Sequence, residues 1–189
     1  MVLALPFLIG VAVALPLGGR LSTLVKLQLK WIWVVYVALA FQIAAFPGHR
    51  MPWRTPDSVA VGLWIASDVL LVAVVVRNGR LFGVPLVALG LFSNLIAVLA
   101  NGGHMPALPS ALKGAGLHYH VSQNSEQMLH PALPWLVDRW AAPSWIPLAN
   151  VFSVGDVIIA VGGFVLALAV TGAHVPGLEK LRKLRPAGI

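Results

Sequence analysis

Six acidic side chains in 189 residues are few enough that each one needs a physical reason, and two stand in or beside long apolar runs. Asp156 enters the stretch 150–171, which reads NVFSVGDVIIAVGGFVLALAVT. A carboxylate at the mouth of a membrane-length helix is costly unless donors hold it or a reaction uses it. Ser153 and Asp156, three positions apart, form the pattern of a helix N-terminus, where side-chain oxygens take up the first free N–H groups. The chemical alternative is a carboxylate that contacts a ligand or acts as a general base. Asn94 lies roughly 9 Å below the outer end of its own apolar run, at ~1.5 Å per helical residue, and faces the same depth. Asp156, Asn94 and Ser153 are therefore candidate lining of a groove or ligand site.

Asp68 is the second such carboxylate. It lies well inside the run 58–76, roughly 15 Å from its start, near the middle of a bilayer, where a carboxyl must be protonated, paired or hydrated. No basic residue shares its run, so its expected partners are Ser67, Gln42 or Asn94. His118 and His120 alternate around Tyr119 and would share one face of an extended strand, with His104 and His130 in the same segment. No Glu or second close pair completes a metal signature, and the absence of cysteine excludes disulfides and thiolate ligands. Neither metal nor cofactor is expected, and His104 and Asp68 join the candidate groove as polar lining.

The elements that must position these residues are apolar. The chain is 59% hydrophobic and 10% charged with mean hydropathy +0.87, which excludes an ordinary soluble domain. The expected fold is an all-α five-transmembrane-helix bundle in a single domain, with spans near 2–18, 31–47, 58–76, 81–100 and 152–173. Between the fourth and fifth spans, 101–151 is read as an extracytoplasmic segment of short surface helices with Trp135, Trp140 and Trp145 as an aromatic belt. A basic tail occupies 174–189. Gly162 and Gly163 are expected to let helices approach closely.

Orientation follows from Lys and Arg. Arg20, Lys26, Lys30, Arg77, Arg80, Lys180, Arg182, Lys183 and Arg185 gather on one face, and Arg50, Arg54, Lys113 and Arg139 on the other. That asymmetry puts the N-terminus outside and the C-terminus in the cytoplasm. The net charge of +7 sits beside helix ends, so anionic headgroups are the expected partner and nucleic acid is not.

Phe152, Ser153, Val154, Gly155 and Asp156, followed by Ile159 and Gly162, resemble the last-helix motif of bacterial lipoprotein signal peptidases, in which Phe-Asn-x-Ala-Asp leads to Ile and then Gly. Asn94, Leu95 and Ile96 with Gly102 and Gly103 are similar to the preceding motif of that family. Its members are aspartic enzymes with two carboxylates, and the resemblance assigns one of these to Asp156. Counted from Asn94, the other falls at Pro106, leaving Glu126 and Asp138 as the remaining acids of the outer segment.

Over nearly the full length, Gly18 to Leu21, Asn101 to Pro106 and Val151 to Ile159 also resemble an uncharacterised family of bacterial integral-membrane proteins. These resemblances imply a bacterial inner-membrane protein with a signal-peptidase-like fold that binds lipid, lipidated peptide or a membrane-protein partner without catalysis. The alternatives are a membrane aspartyl endopeptidase and an accessory subunit of a larger complex.

Overall fold

The computed structural model describes residues 4–47, 51, 53–117, 125–142, 145 and 150–176. His118, His120, Arg50 and the basic residues of the tail lie outside these. The chain is mostly helical, with a few short strands. Its helices are α1 (Ala4–Ala14), α2 (Ser22–Val25), α3 (Ile32–Ala45), α4 (Asp57–Arg77), α5 (Val84–Ala100), α6 (Pro109–Gly114) and α7 (Val154–Val170). The strands are β1 (Met105–Ala107), β2 (Ser125–Gln127), β3 (Trp140–Ala141) and β4 (Val151–Phe152). The five longer helices pack in the spatial order α1, α7, α5, α4, α3.

Among the described residues, α4 is the helix long and apolar enough to cross a membrane. The others are apolar but shorter, with 11 residues in α1, 14 in α3 and 17 each in α5 and α7. At ~1.5 Å per residue they fall short of the roughly 20 residues that a bilayer core requires.

Glycine decides how α5 and α7 meet. The two helices run antiparallel, with Gly83 against Gly162 and Gly90 against Gly155, so each contributes a pair of glycines seven residues apart. A Cβ built on Gly162 would lie 2.7 Å from the Val87 nitrogen and 2.8 Å from the Gly83 carbonyl oxygen, closer than real Cβ atoms come to backbone. Gly163, read from sequence as an equal partner in close packing, has only the Phe7 Cβ at 3.9 Å. It faces α1, where ordinary side-chain distances hold.

Polar clamps fix the helix ends. At one end, Asn78 accepts the Lys30 backbone N–H at 2.9 Å and donates to the Lys30 carbonyl at 2.9 Å and to the Val74 carbonyl at 2.8 Å. The Arg77 guanidinium lies 5.8 Å from the centre of the Trp31 ring. Arg20 N–H donates to the Thr171 carbonyl at 2.7 Å, tying the chain after α1 to the end of α7. This is the basic end of the bundle.

The opposite end carries a small cap, and here the expectation of surface helices is corrected. Besides the six-residue α6, the segment forms a parallel pair, β1 with β2, and an antiparallel pair, β3 with β4. The reason is covering: Met105 buries against Ala97 and Val98 of α5 with Trp64, Ile65 and Leu136 around it. Ala107, Ala111, Leu112, Ala115 and Val151 form a second apolar cluster inside the cap. Extended backbone lets consecutive residues face both layers, which a helix of this length cannot do.

Gly162→Ala is expected to force α5 and α7 apart and to destabilise the fold by about 1–3 kcal/mol, whereas Gly163→Ala leaves stability within about 1 kcal/mol of the parent. Thermal melts of the two variants in the same detergent check this, and equal losses would contradict the close α5–α7 contact.

Candidate active site

Ser153 ends β4 and begins α7. Its extended backbone, φ −101° and ψ 174°, turns the chain from strand into helix, and its hydroxyl accepts the Asp156 N–H at 3.1 Å. Asp156 reciprocates: its Oδ2 accepts the Ser153 N–H at 2.9 Å. This is a complete capping box, so the sequence pattern is realised and the carboxylate is held at the positive end of the helix dipole.

Capping does not exhaust the site. Asn94, on α5, donates from Nδ2 to Asp156 Oδ1 at 3.0 Å, and its Oδ1 accepts the Ser153 hydroxyl at 2.9 Å. The same hydroxyl also lies 3.0 Å from Asp156 Oδ2, and Ser153 is fully buried. Both oxygens of Asp156 thus receive N–H donors. Gly155 makes it possible: a Cβ there would sit 2.7 Å from Asn94 Cγ, so any larger residue would push the amide off the carboxylate.

The cap supplies the residue that sequence spacing did not single out. Asp138 lies two positions before β3, whose Trp140 pairs with Phe152, and the adjoining Arg139 N–H donates to the Phe152 carbonyl at 3.2 Å. The antiparallel register therefore brings Asp138 to the start of α7. Its own backbone is fixed on the other side: Asp138 N–H donates to the Pro106 carbonyl and its carbonyl accepts the Leu108 N–H, both at 2.9 Å. Pro106, the position reached by counting from Asn94, is thus the strand neighbour of the carboxylate that approaches Asp156. The count missed because it followed one chain segment, whereas the second acid arrives from a segment more than thirty residues further on, through an isolated bridge to Ala107.

Asp138 is 6% exposed, and no hydrogen bond to its carboxyl is formed among the described residues. Burial, and then the negative charge of Asp156, push its pKa up to about 7 from the ordinary 3.8. Two carboxyls whose charges interact are thus held differently. Asp156 has an N–H donor on each oxygen, and burial lets Asp138 keep its proton to near neutrality. Such a pair can take a proton from one group while giving a proton to another.

The structure brings Asp156, Asn94 and Ser153 together and leaves His104 and Asp68 out. His104 Nδ1 lies 3.9 Å from Glu126 across the β1–β2 pair, and no hydrogen bond joins it to the Asp156 network. Asp68, on α4, bonds to none of its expected partners. Gln42 donates to Ser67 at 3.2 Å, Ser67 donates to the Trp64 carbonyl at 2.7 Å, and Asn94 is committed to Asp156 and Ser153. Among the described residues, no group of three or more His, Asp or Glu side chains could hold a metal ion.

A family of unknown function, DUF5317, matches residues 26–168. The chain belongs to that family. The match spans α3 to most of α7 and includes Asn94, Asp138, Ser153 and Asp156; α1 precedes it. No curated protein and no solved structure matches the chain.

A carboxyl whose pKa is raised by folding stabilises the fold most below its unfolded pKa of 3.8 and loses that contribution as pH rises through about 7. Asp138→Asn, which removes the ionisation and keeps the shape, is therefore expected to melt higher than the parent at pH 8, by on the order of 4 kcal/mol at most. The difference should vanish near pH 4. Melting curves across this range check it, and a loss of stability at both pH values would mean that Asp138 is structural.

Proposed function

We propose that the chain is a multi-pass membrane hydrolase of the aspartic type, cleaving an amide bond at the membrane surface with Asp156 and Asp138. The observation that carries this is geometric: the β3–β4 register brings the buried Asp138 to the start of α7, where Asn94 and the Ser153 N–H hold the carboxylate of Asp156. The non-catalytic reading rested on the absence of a second acid, and Asp138 supplies one. The Phe152 to Asp156 resemblance to lipoprotein signal peptidase supports the same chemistry, since Asn94 of the second resembling motif lies against Asp156.

Several features support a membrane setting. Only 17% of the most apolar stretch of α4 is buried inside the protein, so most of that helix faces outward. Large apolar side chains are also exposed on α1, α3, α5 and α7, among them Leu8, Trp33, Leu89 and Val161. In water this surface would be an aggregation liability; lipid covers it. Of the described basic residues, Arg20, Lys30, Arg77 and Arg80 sit at the end opposite the cap, which supports the cap and both acids being outside.

The reaction follows from the two charge states. Ionised Asp156 takes a proton from water as the water oxygen bonds to the amide carbon. Asp138 gives its proton to the carbonyl oxygen, producing a tetrahedral diol. Asp156 then passes its new proton to the amide nitrogen, one diol hydroxyl returns a proton to Asp138, and the C–N bond breaks to an acid and an amine. Both carboxyls end as they began. Asn94 and the Ser153 N–H are positioning groups that hold Asp156 through the cycle.

Proteoliposomes given a lipid-anchored peptide test this reading. Cleavage should fall as pH rises above about 7, where Asp138 loses its proton, and Asp138→Asn and Asp156→Asn should each lose about 10³-fold or more in kcat/KM. Activity retained in both folded variants would overturn the proposal. The capping box favours one other reading, because it holds Asp156 in place whether or not chemistry occurs: a lipid or membrane-protein partner bound at the same cleft. In that case Asp156→Asn releases the partner, and the parent cleaves nothing.

A further inference from the structure

A cavity of about 300 Å³ opens at the cap end of the bundle between α3 and α4, on elements other than the α7 start and the cap segment that carry the two acids. Phe46, Pro47, Thr55 and Ala60 line it, together with Arg54 and Asp57. Its walls are fixed: the Thr55 hydroxyl donates to the Ala44 carbonyl, and the Phe46 ring packs edge-on against Trp64 at 5.6 Å. Arg54 and Asp57 are both exposed, and among the described residues neither pairs with the other or with any other charge. Two opposite charges lining one small cavity are complementary to a ligand carrying both signs.

We infer that this cavity binds a phosphoethanolamine-type zwitterion, with Arg54 on the phosphate and Asp57 on the ammonium. A guanidinium offers paired donors to phosphate oxygens, and a carboxylate is a simple acceptor for an ammonium. The volume lies at the small end of ligand sites, suited to a headgroup and not to acyl chains. Trp53 and Met51, both exposed and close in sequence to Arg54, offer apolar surface where chains would continue. A phospholipid headgroup and a soluble glycerophosphodiester share this chemistry. Assignment to lipid rests on the membrane reading above; the zwitterion complementarity does not.

The full-length protein, equilibrated with equal phosphatidylethanolamine and phosphatidylglycerol in detergent, is examined by native mass spectrometry. The parent should retain the ethanolamine lipid over the glycerol lipid by about fivefold, the size of an exposed ion pair. Arg54→Gln should lose retention of both, and Asp57→Asn should reverse the preference, since it removes the ammonium partner and the repulsion of an anionic lipid together. Both positions are on the surface, so unchanged melts show that the variants are folded.

Glycerophosphoethanolamine, which has no chains, serves as competitor. If it displaces the lipid, the headgroup alone is recognised; if it does not, the lipid form is the ligand, and either result keeps the site. Binding of the soluble diester by a protein that fails to associate with vesicles would retain the site and remove the membrane reading. No lipid preference in the parent, or the same preference in both variants, overturns the inference.

Discussion

The backbone contact between α5 and α7 is the constraint on which the rest depends. Gly83 and Gly90 on one helix and Gly155 and Gly162 on the other remove the side chains that normally keep helices 8–10 Å apart. At that closer separation Asn94 can reach across to Asp156 with a short side chain, and Gly155 leaves the space in which its amide sits. Small residues have a general role in helix association where lipid provides no hydrophobic drive. In this chain they also set the distance between an amide and a carboxylate.

The close contact also shapes the electrostatics of the site. Asp156 accepts N–H groups from its own helix start and from α5. Asp138 is buried beside that carboxylate, and holding it there costs free energy whenever it ionises. A fold selected for stability alone would place an amide or an apolar residue at this position. A buried acid kept protonated to near neutral pH beside a carboxyl held by N–H donors is a means of separating acid and base roles between chemically identical groups.

The cap explains how so little secondary structure suffices. Its strands are two or three residues long and would not persist alone, but Met105 is anchored against α5, and Asp138 is held by backbone bonds to Pro106 and Leu108. The acid therefore sits on a clamped segment, two residues before the β3–β4 pair that leads into the capped start of α7. Trp140 stacks on Phe152 with ring centres 5.8 Å apart, bracing the antiparallel pair where it meets the helix.

The sequence by itself determined the apolar helical character, the capped start of α7 and the likeness in depth of Asn94 and Asp156. These depend on local patterns: hydropathy, the Ser153 and Asp156 spacing, and helical rise. Tertiary structure alone decided three things. Asp138 joined the site because pairing between distant strands, weak and nearly signal-free in sequences of two or three residues, brought it to α7. Gly162 became a contact with α5 while Gly163 did not, because helix rotation about its axis, and not glycine identity, selects the partner. His104 and Asp68 stayed apart from Asp156 because residues of similar depth can still face different neighbours, and direction around a helix or across a sheet is fixed only when the elements pack.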